Sequence, residues 1–177
     1  SGQREWPKVL AAMDNILDVH PTDRGLICTV SYALANYLAK HSRHKERLVY
    51  HEDRDSRFDA LARYKAKKGR VLVSPSFGRG ISLDGDLGRF CVIAKLPFPN
   101  LGEKQIAGRL YGAKDGKSWY ATRTIREIVQ ATGRVVRTSD DFATAYILDA
   151  QFGRLYREWK WVFPSWWREA LVEGGNE

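Results

Sequence analysis

The sequence has few of the features that would tie it to a membrane, an oxidising compartment or a structural metal. Its 177 residues include two cysteines and one methionine. The longest apolar runs, at 71–73 and 91–94, are far shorter than the roughly 20 residues that a membrane-spanning helix needs. No basic segment followed by an apolar stretch opens the chain, so no secretory signal is predicted. These absences exclude membrane, secreted and zinc-finger proteins.

The cysteines and histidines lack the spacing of a disulfide framework or a metal site. Cys28 and Cys91 each lie inside an apolar run, so we expect reduced core thiols in a cytosolic protein. The four histidines show no pairing with acidic or sulfur ligands; they are His20, His41, His44 and His51. We therefore expect no metal in this chain.

Positive charge is what the sequence has in excess. Lysines and arginines number 29 against 21 aspartates and glutamates, which gives a formal net charge of +8. This excess favours an anionic partner, with nucleic acid or a nucleotide phosphate first. Hydrophobic residues at 44% and charged residues at 28% are typical of one globular domain at this length.

The start of the chain suggests an excised domain. It begins at Ser1 and has no methionine before Met13, so we expect Ser1-Gly2 to be a cloning remnant. We expect a lead-in helix within 1–24, the main domain at 25–173 and a flexible tail at 174–177.

Short β-rich runs alternate with helical segments along the chain. Strands are predicted at 26–30, 48–50, 71–73, 90–94 and 145–148, and helices after Ser31, at 55–67, at 119–131 and from Pro164 through Leu171. Strands that are apolar throughout and separated by helices indicate an α/β fold with a parallel sheet. Ligands bind beyond the carboxyl ends of such strands, so the functional loops should follow Val30, Ser74 and Leu148.

The predicted helices carry apolar residues at helical spacing. The three sets are Leu34, Tyr37 and Leu38; Phe58, Leu61 and Ala62; and Ala121, Ile125, Ile128 and Val129. A run of rings follows near the end of the chain, at Trp159, Trp161, Phe163, Trp166 and Trp167. These rings could stack on unpaired bases, but we favour packing under the terminal helix, with one exposed tryptophan left open.

A candidate phosphate-binding loop fails on its spacing. Gly116-Lys117-Ser118 resembles the end of a P-loop, yet position 111 is tyrosine where that loop requires glycine, and no buried strand precedes it. We expect a solvated turn in which Ser118 caps a helix that starts at Trp119. The chain therefore lacks its own nucleotide cradle.

The segment that points to chemistry is Gln130-Ala131-Thr132-Gly133-Arg134-Val135-Val136-Arg137. Gln130, Arg134 and Arg137 fall at i, i+4 and i+7, on one helical face if the turn continues. Two guanidiniums and an amide beside a glycine suit phosphate oxygens. A solvated basic helix end paired with Asp140 and Asp141 is the alternative.

The order of the flanking segments is more specific than this motif alone. A β-rich run leads into Ser74-Pro75-Ser76-Phe77-Gly78-Arg79-Gly80-Ile81-Ser82, followed by Leu96-Pro97-Phe98-Pro99 and Trp119-Tyr120. After the motif come Asp140-Asp141 and Tyr146-Ile147-Leu148-Asp149. In this order they closely resemble the second motor lobe of superfamily-two helicases in the XPD/DinG-like branch, from Gly25 to about Leu171.

The resemblance implies a RecA-like, three-layer α/β/α domain with a mainly parallel central sheet. Such a lobe works beside a first lobe that carries the P-loop, so ATP and Mg²⁺ would be bound mainly by that absent lobe. The residues matching motif VI are Gln130, Gly133, Arg134 and Arg137. Arg134 and Arg137 would be the catalytic arginine fingers on the γ-phosphate, and Gln130 would orient the phosphate or its water.

Two further motifs imply contacts with single-stranded DNA. Residues 25–31 match motif IV, in which Ser31 and the free N–H groups of a helix start would hold a backbone phosphate. The loop from Ser74 matches motif V, which implies DNA contacts by Ser74, Ser76 and Arg79 and nucleotide-side contacts by Gly80 and Ser82. The family usually has Glu-Gly-hydrophobic-Asp where this chain has Arg79-Gly80-Ile81-Ser82.

Two function classes remain open at this point. The first is the second lobe of an ATP-dependent DNA helicase in DNA repair, cytoplasmic and nucleoid-associated, with single-stranded DNA and the first lobe as partners. The second is a non-catalytic RecA-like module that binds nucleic acid or protein, which the departure at 79–82 favours. A stand-alone enzyme using Cys28 or a histidine has no supporting group of residues.

Overall fold

The fold is described from a computed structural model, which covers residues 2–76, 83, 85–135, 142–172 and 174. The chain divides into two units. The first consists of Ser1–Leu96 and Gln130–Asp149, and the second of Pro97–Val129 and Ala150–Glu177. The first unit holds the sheet.

Five strands form one sheet in the first unit. They are β1 (Gly25–Cys28), β2 (Leu48–Tyr50), β3 (Val71–Ser74), β4 (Phe90–Ile93) and β5 (Thr144–Ile147), in the spatial order β2-β3-β1-β4-β5. Every pairing among these described strands is parallel. β1, β3 and β4 are buried at every position, as expected for central strands covered on both faces. The α/β fold with a parallel sheet is confirmed.

Three helices belong to the first unit: α1 (Trp6–Val19), α2 (Tyr32–His41) and α3 (Arg57–Ala66). Apolar side chains of α1 and α2 form one buried cluster with alternate residues of the strands, among them Ile27, Val73 and Val92. Alternation arises because successive strand residues point to opposite faces of a sheet. The residues between them, such as Leu26, Leu72 and Cys91, are buried outside that cluster.

The predicted apolar face of α3 is wrong. Phe58 is 79% exposed and Ala62 is exposed, whereas Ala60 and Tyr64 are buried. Tyr64 decides which face turns inward, because its hydroxyl donates a hydrogen bond to the Leu87 carbonyl oxygen. Burial raises the pKa of this phenol.

The second unit is helical in the part that is described. Its helices are α4 (Lys104–Gly112), most of α5 (Gly116–Thr132), α6 (Gln151–Trp159) and α7 (Ser165–Glu169). The predicted stripe on α5 is confirmed for Ala121, Ile125 and Ile128, while Val129 is only half-buried.

The predicted start of α5 is wrong by three residues. The helix begins at Gly116, and the Ser118 hydroxyl donates to the Asp115 carbonyl oxygen, 2.9 Å away, instead of capping the helix. A Cβ at Gly116 would collide with the Leu110 carbonyl oxygen. Because Gly116 has no side chain, the first residue of α5 can lie close to the Leu110 carbonyl oxygen.

The rings near the end of the chain divide into buried and exposed groups. Phe163 and Trp167 are buried and lie 4.7 Å apart between ring centroids, and the ring of Phe152 packs against both. Packing under the terminal helix is thus confirmed for these rings. Trp161 and Trp166 are 66% and 55% exposed, so two tryptophans face solvent in this unit.

Candidate functional site

The carboxyl edge of the sheet carries the predicted residues Ser31, Ser74 and Ser76. Backbone hydrogen bonds extend beyond the strands at the carboxyl edge of the sheet. The Thr29 amide donates to the Ser74 carbonyl oxygen at 3.1 Å, and the Ala94 amide donates to the Cys28 carbonyl oxygen at 2.9 Å. The Leu148 amide donates to the Ile93 carbonyl oxygen at 3.0 Å. The loops after β1, β3, β4 and β5 are thereby joined at their origins. This is the edge at which parallel α/β sheets bind ligands.

The junction between β1 and α2 is under backbone strain. Val30 adopts a φ of 62°, in the left-handed region that is unfavourable for a β-branched residue. Ser31 then caps α2, as predicted: its Oγ accepts a hydrogen bond from the Leu34 amide at 3.2 Å. The Thr29 hydroxyl donates to the Ser31 carbonyl oxygen at 3.0 Å and so fixes the turn from strand to helix.

Ser74 and Ser76 form a small hydroxyl network at the end of β3. Their Oγ atoms lie 2.9 Å apart, and the Ser76 amide donates to the Ser74 Oγ at 3.3 Å. The Ser74 side chain is fully buried, whereas Ser76 is half-buried at the mouth of the loop. Both serines were predicted to contact DNA, but of the two only Ser76 is partly accessible.

His51 completes this network, and the sequence-based predictions missed it. It is the residue directly after β2, and it is buried, with 4% of its surface exposed. Its Nε2 lies 3.4 Å from the Ser74 Oγ and its Nδ1 lies 2.6 Å from the Asp53 carbonyl oxygen. The signal that could have found it is its position at the carboxyl end of a predicted strand.

The segment that matches motif VI begins on α5 and continues past its end. The helix ends at Thr132, so the single helical face expected for Gln130 and Arg134 does not extend to Arg134. Gln130 is exposed, whereas Gly133 and Arg134 are half-buried. The Arg134 amide donates to the Ala131 carbonyl oxygen at 3.2 Å, which turns the chain back at this point.

The residue after Arg134 is packed into the first unit. Val135 is buried, and its Cγ1 lies 2.9 Å from where a Cβ at Gly88 would stand. The pKa of the Cys28 thiol is raised by its hydrogen bond to Cys91 first and by burial second, and the positive charge of Arg134 acts in the opposite direction.

Several predicted residues lie outside the described part of the chain. They are Arg79, Gly80 and Ser82 of the motif V loop, Arg137 of motif VI, and Asp140 and Asp141.

Asp149 is a second residue, after His51, for which the sequence analysis predicted no role. Its Oδ2 accepts a hydrogen bond from the Leu96 amide at 3.0 Å, so it joins the segments that follow β4 and β5.

Cys28 and Cys91 are buried and free, as expected. Among the described residues, no group of three or more His, Cys, Asp or Glu side chains is arranged to hold a metal ion. Nor does any described helix have the length and hydropathy to cross a membrane.

Comparison with known proteins decides the family. The family model described as "Helicase C-terminal domain" matches residues 13–170. This chain belongs to the helicase C-terminal domain family. The match includes the β1–α2 junction, the Ser74–Ser76 network and Arg134, so the described residues of the site lie within the family domain.

Curated relatives agree with this assignment. The chain is 30% identical over 151 residues to "ATP-dependent DNA helicase CHL1" of Eremothecium gossypii, with 72% of this chain and 18% of the relative covered. It is 27% identical over 183 residues to "Regulator of telomere elongation helicase 1 homolog" of Culex quinquefasciatus, covering 85% of this chain and 19% of the relative. The chain thus spans about a fifth of the length of these relatives.

Solved structures agree on the fold. A structure named "XPD_APO" matches with a TM-score of 0.70 at 18% identity, covering 92% of this chain and 35% of that one. "Structure of S. tokodaii Xpd4" matches with a TM-score of 0.64 at 18% identity, covering 93% and 35%. The resemblance to the second motor lobe of XPD/DinG-like helicases is confirmed.

Proposed function

We propose that this helicase C-terminal domain is the second motor lobe of an ATP-dependent DNA helicase. In this proposal Arg134 and Arg137 reach the γ-phosphate of ATP bound by a first lobe, and Gln130 orients that phosphate or its attacking water. The loops after β1 and β3 hold single-stranded DNA through Ser31, Ser76 and Arg79, and the buried Ser74 supports Ser76 through the hydrogen bond between their hydroxyls. The helicase acts on DNA in the cytoplasm, in association with the nucleoid.

The observation that carries the proposal is the position of Arg134. Arg134 is half-buried two residues after the end of α5, and its neighbour Val135 is buried against Gly88. A half-buried arginine in the segment that matches motif VI is suited to meet a phosphate that a second domain presents. Phosphoryl transfer spreads negative charge over the γ-oxygens, and a guanidinium supplied across an interface stabilises that charge.

The residues present fit one side of an ATP site. The chain supplies guanidinium donors but no P-loop, and its described residues supply no metal-binding cluster. The first lobe would therefore hold the Mg²⁺–ATP, whose metal neutralises phosphate charge when bound. The role of this chain is to add Arg134, Arg137 and Gln130 when the lobes close, with Gly80 and Ser82 on the nucleotide side of the motif V loop.

The DNA-binding part of the proposal is supported by the start of α2. A helix N-terminus offers backbone N–H groups that are not used within the helix, and it favours anions. Ser31 caps this helix through its oxygen, so its hydroxyl hydrogen can still donate to a phosphate. Ser76 lies in the loop after β3, a strand that neighbours β1 in the sheet.

Arginine variants test the ATPase role in a protein that carries this chain together with a first lobe. We expect Arg134→Ala and Arg137→Ala each to lower DNA-stimulated ATP turnover by on the order of 10³-fold. Arg126→Ala is the matched control, because Arg126 is an exposed arginine on α5, the helix that precedes Arg134. Turnover that stays within about threefold of the wild type in both finger variants would contradict the proposal.

The sequence at 79–82 favours one other candidate, a non-catalytic module that binds nucleic acid or protein. Arginine and serine replace the usual carboxylates in this stretch. A module of this kind has no turnover to lose, so Arg137→Ala would change its DNA affinity only modestly. The same set of variants therefore separates the two functions.

A further inference from the structure

The network around His51 contains a buried titratable group that the proposed mechanism does not use. His51 is 4% exposed and Ser74 is fully buried, and the two are linked at 3.4 Å through Nε2 and Oγ. Ser74 in turn contacts Ser76, which is half-buried in the loop proposed to hold DNA. The chain of contacts therefore runs from a buried imidazole to the proposed binding surface.

The Asp53 carbonyl determines which ring nitrogen carries the proton. A carbonyl oxygen only accepts hydrogen bonds, so Nδ1 must donate to it across the 2.6 Å contact. In the neutral ring Nε2 is then an acceptor, and the Ser74 hydroxyl donates to it. The Ser76 hydroxyl donates to Ser74, so Ser76 presents only lone pairs to solvent.

Protonation of His51 reverses the direction of these hydrogen bonds. Nε2–H becomes a donor to the Ser74 Oγ, and the Ser74 hydroxyl turns to donate to the Ser76 Oγ. The Ser76 hydrogen is released to point outward. A phosphodiester oxygen only accepts hydrogen bonds, so Ser76 suits a phosphate in this state and not in the other.

We propose that His51 is a positioning residue that couples its own protonation to the binding of a DNA phosphate at Ser76. This inference rests on the proposed DNA-binding function and assigns a control to that same site. Since the protonated state binds phosphate better, binding takes up a proton, and affinity falls as pH rises.

Other groups face His51 from each element around it. Tyr32 of α2 meets its ring edge-on, at 5.6 Å between centroids. Arg63 of α3 donates to the Tyr50 carbonyl oxygen, one residue before His51. Hydrogen bonds from the Ser56 side chain and amide hold the pKa of the Asp53 carboxyl below its usual range, so Asp53 places a negative charge near His51. Glu52, the next residue, is exposed.

The test compares DNA affinity across pH in matched variants of the 177-residue chain. Fluorescence anisotropy with fluorescein-labelled oligothymidylate of about 15 nucleotides measures affinity at constant ionic strength. Between about pH 6 and pH 8 we expect wild-type affinity to fall roughly fivefold to tenfold more than that of His51→Gln. His41→Gln is the control, because His41 is exposed at the other end of α2, and it should keep the wild-type profile.

Ser76→Ala separates failure of this inference from failure of the proposed function. Ser76→Ala should lose the same part of the pH dependence of DNA affinity as His51→Gln does. The double variant should therefore have the same pH dependence as Ser76→Ala alone. If Ser76→Ala weakens binding but His51→Gln keeps the wild-type profile, DNA binding stands and the role of His51 is wrong. If the wild type does not bind the oligonucleotide, or Ser76→Ala binds as tightly as the wild type, the proposed contact fails and the inference fails with it.

A measurement on the wild type removes any dependence on whether the variants fold. Nitrogen-15 NMR of the side chain should show the proton of neutral His51 on Nδ1. Titration calorimetry in buffers of different ionisation enthalpy should show proton uptake when the oligonucleotide binds. A proton on Nε2 alone, or binding without proton uptake, would overturn the proposal.

Discussion

Single residues hold the proposed arginine finger in place, and Gly88 is the most restrictive of them. A Cβ at Gly88 would lie 2.9 Å from the Val135 Cγ1 and 3.1 Å from the Leu83 Cβ. We expect Gly88→Ala to lower the free energy of unfolding by about 1–3 kcal/mol, the range for overpacked cores. It should also displace Arg134 and reduce ATP turnover in the two-lobe protein.

Gly108→Ala is the matched control for that prediction. Gly108 lies within α4, and a Cβ there would have open space around it. The free energy of unfolding of this variant should rise by about 0.5–1 kcal/mol, since alanine has a higher helix propensity than glycine. Urea denaturation measures both changes, and equal effects at the two glycines would show that Val135 is not closely packed.

Val30 gives a second prediction at the residue scale. Its φ of 62° costs a non-glycine residue about 1–3 kcal/mol, so Val30→Gly should raise the free energy of unfolding by about 1 kcal/mol. The same change should loosen the start of α2 and weaken DNA binding. Ala62→Gly, within α3, should instead lower the free energy of unfolding by about 1 kcal/mol. If Val30→Gly destabilised the chain as much as Ala62→Gly, strain at this junction would be disproved.

At the scale of elements, α6 and α7 are joined by a ring cluster with distinct buried and exposed members. Trp167 is 7% exposed and packs on Phe163 and Phe152, whereas Trp161 is 66% exposed. We expect Trp167→Ala to cost about 3–5 kcal/mol of stability and Trp161→Ala to cost less than about 0.5 kcal/mol. Comparable losses measured by thermal unfolding would contradict this division.

The elements also show where sequence patterns stop being informative. β2 was predicted with its observed bounds, and the other four strands to within two residues at each end, because short apolar runs between helices have few alternative structures. The inward face of α3 was mispredicted because a tertiary hydrogen bond from Tyr64 outweighs the spacing of Phe58. The start of α5 was mispredicted because the close approach of Gly116 to Leu110 has no local signature.

At the scale of the whole molecule, the site was only partly predictable. Motif order singled out Ser31, Ser74 and Arg134, and the structure places Ser31 just after β1 and Ser74 at the end of β3. His51 was missed because its role depends on a contact with Ser74 of β3, which lies 23 residues further along the chain. Asp149 was quoted as part of the resemblance, but its bond to Leu96 likewise appears only in three dimensions.

The central claim is that this chain completes an ATP site it cannot form alone. The most direct test is steady-state ATP hydrolysis by the purified chain, alone and joined to a first lobe that carries a P-loop. We expect no turnover from the chain alone, DNA-stimulated turnover from the two-lobe protein, and loss of that turnover with Arg134→Ala. Hydrolysis by the chain alone, or a two-lobe protein that is indifferent to Arg134, would contradict the account.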